Sequence, residues 1–193
     1  MRSHALQPSA TDVSDRILFE RMRSGDGAAF EALFRNHAAA LVSFARSYVD
    51  SREVAEELVQ DLFCRVWDNR FESTVPDSVR GYLFAALRNR SLNHLRREQV
   101  SLDFVERSSK VVPASPAADE ALLAADLRDA LAAAVKGMPA RCREVFTLAR
   151  HQGMSYAEIA DILGISKKTV EIHMSRALAI LRERLRGWVE PAN

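Results

Sequence analysis

Apolar residues recur at intervals of three and four along most of this chain, and the two-residue alternation of a strand is nearly absent. That period gives each helix one buried stripe, so the expected fold class is all-α. Ser14 is positioned to cap a short helix carrying Ile17, Leu18 and Met22, which ends near Gly25. Asp26 caps a longer one, with Phe30, Leu33, Phe34, His37, Leu41, Phe44, Ala45 and Tyr48 at the offsets of one buried face. Ser51 opens a third, in which Val54, Leu58, Leu62 and Val66 stay in register to about Asn69. The turn-forming stretch 72–78 holds Pro76, and Asp77 or Ser78 then caps a fourth helix reaching about Arg97. Four helices over residues 14–97 form a first domain, and residues 1–13 ahead of it are expected to be disordered.

Residues 98–117 show no sustained period and contain two prolines and four serines, the composition of a flexible linker. A second small helical domain follows over residues 118–188, with residues 189–193 as a tail. Leu122, Leu123, Leu127, Leu131 and Val135 stripe its first helix, which stops at Gly137. Pro139 suits the first position of the next, because its missing N–H is harmless there. That helix carries Val145, Phe146 and Ala149 and ends at Gly153.

The segment after Gly153 is the most specific local signal. Ser155 and Glu158 form a capping box, in which serine and glutamate satisfy each other's backbone N–H and fix a helix start. The helix runs to Leu163 and breaks at Gly164, and Ser166 caps a long successor extending to about Trp188. Ala160 is small where the two helices must cross, Gly164 permits a left-handed turn, and Val170 packs beneath the second helix, which together match a helix-turn-helix. In that geometry the first turns of the second helix enter the major groove. Ser166, Lys167, Lys168, Thr169, Glu171, Ile172, His173, Ser175 and Arg176 are then the candidates to meet DNA, while Val170, Met174, Ala177, Leu178 and Leu181 are core. His173 and Arg176 can read base edges, and Lys167, Lys168 and Thr169 suit phosphates. Glu171 accepts from a cytosine amino group or pairs with a neighbouring base.

The formal net charge is only +1, but the charges are segregated. Residues 78–97 hold five arginines and no acid, whereas residues 50–61 hold five acids against Arg52 alone, which marks two separate working faces. On the fourth helix Tyr82, Ala86, Asn89, Asn93 and Arg96 or Arg97 share a stripe. An aromatic ring, amides and guanidiniums in that order suit unpaired bases and their phosphates. Cys64 and Cys142 lie far apart without ligand spacing and are expected to be small buried residues. The five histidines show no metal spacing and no glycine loop cradles phosphate, so neither an enzyme nor a cofactor is indicated. With no spanning segment and no secretory signal at residues 1–10, a cytoplasmic protein without membrane insertion is expected.

A helix-turn-helix serves many regulators, and Lys168 to His173 also looks like the recognition helix of two-component or quorum-type activators. Their sensing domain is α/β, which the first domain here does not match, so an activator or repressor acting outside the polymerase is the alternative. Residues 55–67, with Glu56, Glu57, Gln60, Asp61, Phe63 and Trp67, resemble the polymerase-binding helix of extracytoplasmic-function (ECF) sigma factors. Residues 82–97 resemble that family's promoter-melting helix, and residues 138–178 its minus-35-reading domain. Arg88 to Arg97 is similar in flavour to the iron-uptake-regulator and Bacteroidetes-type branch. The resemblance implies that Glu57, Gln60, Asp61, Phe63 and Trp67 face core RNA polymerase, and that Tyr82, Arg88, Asn89, Asn93, Arg96 and Arg97 serve the minus-10 element. It further implies the β′ clamp and β flap as polymerase contacts, promoter DNA as ligand, and an anti-sigma factor as partner. A flipped base would lodge against the loop from Phe71 to Ser78.

Overall fold

The computed structural model describes residues 10–102 and 119–189, and every regular element in them is helical. None of these helices is long and apolar enough to cross a membrane. The chain divides into two compact units, with the division after Arg97 falling in the last turns of the fourth helix.

The first unit contains α1 (Ala10–Arg23), α2 (Gly27–Ala45), α3 (Arg52–Asp68) and α4 (Val79–Leu102). Its caps are local and follow the sequence. The Asp26 carboxylate accepts from the amides of Ala28 and Ala29, Ser51 from Val54, and Ser78 from Gly81 at 3.0 Å. Hydrogen bonding from Arg21, seconded by the Ala29 amide, holds the Asp26 carboxyl below the usual range, so this cap survives mild acid. The core joins Phe19 and Met22 of α1, Leu33, Leu41 and Phe44 of α2, Val59 and Leu62 of α3, and Leu83, Phe84 and Leu87 of α4. Phe44 and Phe84 meet with ring centroids 5.2 Å apart. Each such side chain contributes about 1.5–3 kcal/mol on burial.

Two boundaries in this unit differ from expectation. Helix α1 begins at Ala10, so Ser14 lies inside it and residues 10–13 are helical, while residues 1–9 fall outside the described residues. The buried face of α1 is Asp15, Phe19 and Met22, and Ile17 is 53% exposed. Asp15 is buried because its carboxylate meets the Nε2 of His37 at 2.8 Å, a pair that pins α1 to α2. Helix α4 continues past Arg97 to Leu102, since residues 98–102 contain no helix breaker; the rest of the expected linker, 103–118, is outside the described residues.

The second unit contains α5 (Asp119–Lys136), α6 (Ala140–Phe146), a π-helical turn (Thr147–His151), α7 (Tyr156–Leu163), α8 (Lys167–Arg184) and α9 (Arg186–Val189). Pro139 is the cap residue of α6 rather than its first helical position. The π turn was not expected, and it places Thr147 and Leu148 in the core. Leu185 separates α8 from α9, where one continuous helix to Trp188 was expected. Among the described side chains of α5, which begin at Asp126 and so leave out Leu122 and Leu123, Ala134 is buried. Leu127 and Leu131, expected in a buried stripe, are 42% and 37% exposed, because within this unit no described helix covers that face. Arg184 of α8 closes the end of α5: it donates to the Ala133 carbonyl and lies so near Gly137 that a side chain there would collide with it. A cation at a helix C-terminus also offsets the helix dipole.

Candidate partner and nucleic-acid interfaces

Helix α3 has two faces with different chemistry. Ala55, Leu58, Val59, Leu62, Phe63 and Val66 are buried, while Glu57, Gln60 and Asp61 are exposed. Phe63, expected to face a partner, lies in the core of the free chain. It is 2% exposed and its ring packs against Phe34 at 5.0 Å and Phe30 at 6.0 Å. The i, i+3, i+4, i+7 spacing of Val59, Leu62, Phe63 and Val66 accounts for this. Trp67 is half-buried, with Phe30 at 5.0 Å and the Arg70 guanidinium 4.1 Å above its ring. Cys64, expected inside, is exposed on the charged face. A groove of about 530 Å³ runs between α2 and α3, lined by Phe34, Val42 and Val59 together with Arg46, Glu56 and Gln60.

Arg70 stacks on Phe71 as well as Trp67, at 4.2 Å, and donates to the Trp67 carbonyl at 2.7 Å. Phe71 is nonetheless 63% exposed at the head of the 71–78 loop. An aromatic ring held against a guanidinium and open to solvent is a ready stacking platform. Sequence reasoning named the loop but not this stack.

Tyr82, Asn89, Asn93, Arg96 and Arg97 are exposed and Arg88 is half-exposed. Tyr82 rests edge-on against Phe19 with centroids 6.0 Å apart, which fixes the ring while leaving it 38% exposed. Arg96 reaches the Asn93 side-chain oxygen at 3.4 Å. Arg90, one of the five arginines of the basic stretch, does something else: it donates to the backbone carbonyl of Asp61 on α3 at 3.0 Å. Burial, then the like charge of Arg65, pushes its pKa down from the usual guanidinium value, and Asp61 opposes both. No periodicity in the sequence marks that strut.

In the second unit the capping box closes as expected, with Ser155 N–H donating to Glu158 at 2.7 Å and Glu158 N–H to Ser155 Oγ at 3.3 Å. Gly164 takes φ +63°, the left-handed turn that favours glycine, and Ser166 caps α8 through Thr169 N–H at 3.1 Å. Val170, Met174 and Ala177 are buried; Leu178 and Leu181, expected in the core, are only half-buried. Ser166, Lys167, Lys168, Ile172, Ser175 and Arg176 are exposed, and Thr169, Glu171 and His173 are half-exposed. Glu171 pairs with Lys168 at 3.2 Å, which resolves its role in the free protein. The Thr169 hydroxyl is held by Ser166 at 2.8 Å.

Residues 33–100 match the family model described as Sigma-70 region 2, and residues 128–181 match Sigma-70, region 4. The chain is 34% identical over 177 residues to the RNA polymerase sigma factor CnrH of Cupriavidus metallidurans, covering 87% of this chain and 92% of that protein. Among solved structures, CnrH in complex with the cytosolic domain of CnrY superposes with a TM-score of 0.68 at 28% identity, covering 90% of this chain and 98% of that one. The sigma factor RpoE in complex with the anti-sigma factor NepR from Bartonella quintana gives 0.64 at 25% identity, covering 81% and 96%. Two region matches on two helical units, with a relative similar from end to end, leave one family: the chain belongs to the extracytoplasmic-function (group IV) sigma factors of RNA polymerase.

Proposed function

We propose that this chain binds core RNA polymerase and directs it to a set of promoters, with no catalytic step, metal or cofactor of its own. Glu57, Gln60 and Asp61 on α3 meet the β′ clamp, with Trp67 and the neighbouring groove supplying apolar area, and the second unit meets the β flap. Tyr82, Arg88, Asn89, Asn93, Arg96 and Arg97 on α4 hold the opened minus-10 strand, and the Phe71 stack with its loop receives an unstacked base, whose extrusion costs only a few kcal/mol. Ser166 to Thr169, Glu171, Ile172, His173, Ser175 and Arg176 on α8 read the minus-35 duplex. Two relatives were solved bound to CnrY and to NepR, the latter an anti-sigma factor, which supports an inhibitory partner here and a site of action beside polymerase in the cell interior.

The observation that carries this is a difference between two exposed faces in one chain. The α4 face offers a ring and amides suited to single strands, and the α8 face is the start of a helix-turn-helix suited to duplex DNA. The test uses holoenzyme reconstituted from core polymerase and this chain, on a promoter recovered from the genomic fragments it retains. Arg176→Ala should lose about 1–3 kcal/mol of discrimination at one base pair of the upstream element. Asn89→Ala should leave closed-complex binding nearly intact and slow strand opening, read by permanganate reactivity of unpaired thymines. Normal opening by Asn89→Ala, or an opening defect in Arg176→Ala without loss of duplex affinity, would reverse the assignment.

A further inference from the structure

Between α6 and α8 lies a pocket of about 320 Å³, lined by Cys142 and Pro139 on one side and His173, Arg176 and Ile180 on the other. Cys142 is 2% exposed, and its Sγ lies 3.8 Å from Nδ1 of His173, within reach of a sulfur hydrogen bond. Nδ1 faces inward to a thiol, while His173 as a whole remains half-exposed among the DNA-facing residues of α8.

We infer that Cys142, which no DNA can touch, is a positioning residue that sets which class of base edge His173 reads. This rests on α8 being the duplex-reading helix. The chemistry follows from donor and acceptor roles. A thiol has one S–H to give, and sulfur is a poor acceptor. Burial pushes the Cys142 thiol up, against a smaller opposing pull from the Arg176 charge, so it stays protonated and keeps that donor. In neutral imidazole one nitrogen donates and the other accepts. With Nδ1 accepting from S–H, the proton sits on Nε2, and His173 meets the groove as a donor. It then pairs with acceptors: N7 or O6 of guanine, N7 of adenine, or O4 of thymine. The amino groups of cytosine and adenine, which would need an accepting nitrogen, are refused. The thiol thus decides the sign of a base contact made on another helix.

The test is a double-mutant cycle on reconstituted holoenzyme, scored as discrimination across all base pairs of the upstream element. Cys142→Val and Cys142→Ala both remove the S–H donor, one enlarging and one shrinking the side chain, so packing effects should diverge while donor effects agree. Both should lose roughly three- to tenfold of discrimination at the single base pair where His173→Ala loses it, the size of one hydrogen bond. In the His173→Ala background neither should lose more there. A nitrogen-proton correlation spectrum of the free wild-type chain should find His173 protonated on Nε2 alone, with a mixture of tautomers in Cys142→Val. A proton on Nδ1 in the wild type, or an equal loss from Cys142 changes with and without His173, overturns the inference while leaving α8 as the reading helix. If His173→Ala keeps full discrimination, His173 is not a reader and the inference falls with that assignment.

Discussion

Replacing Asp61 with arginine should weaken binding to core RNA polymerase by on the order of 2–5 kcal/mol, roughly thirty- to several-thousand-fold. Asp61 sits with Glu57 and Gln60 on the exposed face of α3, in the acidic stretch that contrasts with the arginines of α4. Reversal removes an anion from a surface expected to meet basic groups, and sets a new cation beside Arg65 and Arg90, which already repel one another. The fold should barely notice, because the side chain is exposed and changes at such positions stay within about 0.5 kcal/mol. A pull-down titration against core polymerase reads the loss directly. Unchanged affinity, with unchanged thermal unfolding, would remove α3 from the polymerase interface.

Phe63→Ala should act by a different route and lower the unfolding free energy by about 3–5 kcal/mol, the range for emptying an aromatic site in a core. Its ring fills the space beside Phe30 and Phe34, and Phe30 also supports Trp67, so the cavity loosens the whole aromatic end of α3. Denaturant unfolding of the free chain, with no polymerase present, should give the full effect. A free-chain stability equal to wild type would mean that Phe63 is not packed as described and that its side chain is available to a partner after all.

These two residues also mark where the sequence was legible. Caps are read within four residues, so Asp26, Ser51, Ser155, Ser166 and the Gly164 turn stand where local chemistry puts them. Exposure along α4 and α8 followed from periodicity in the same way. Phe63 lies inside because Val59, Leu62, Phe63 and Val66 share one helical face, whereas the family pattern implies that it faces a partner. Helix α4 outlasts the expected end near Arg97 because residues 98–102 hold neither proline nor glycine, and a loss of apolar period does not by itself stop a helix. What periodicity cannot supply is a partner distant in sequence: Asp15 with His37 is 22 residues apart, Arg90 with Asp61 is 29, and Cys142 with His173 is 31. Each is a polar contact created by helix packing, and each carries a role that composition assigns to something else.

The strut from Arg90 has a consequence for how such a chain can diverge. Its guanidinium grips a main-chain oxygen, which any amino acid at position 61 would provide equally well. The exposed side chains of α3 can therefore vary without removing that acceptor, although a cation at position 61 would add to the repulsion that Arg65 already exerts on Arg90. Position 90 is the constrained half: only a side chain with arginine's reach and donors makes this bond, while Leu83, Phe84 and Leu87 keep α4 anchored in the core. One half of the contact is thus indifferent to the side chain and the other depends on it, so the exposed face of α3 can change in sequence while its link to α4 is kept.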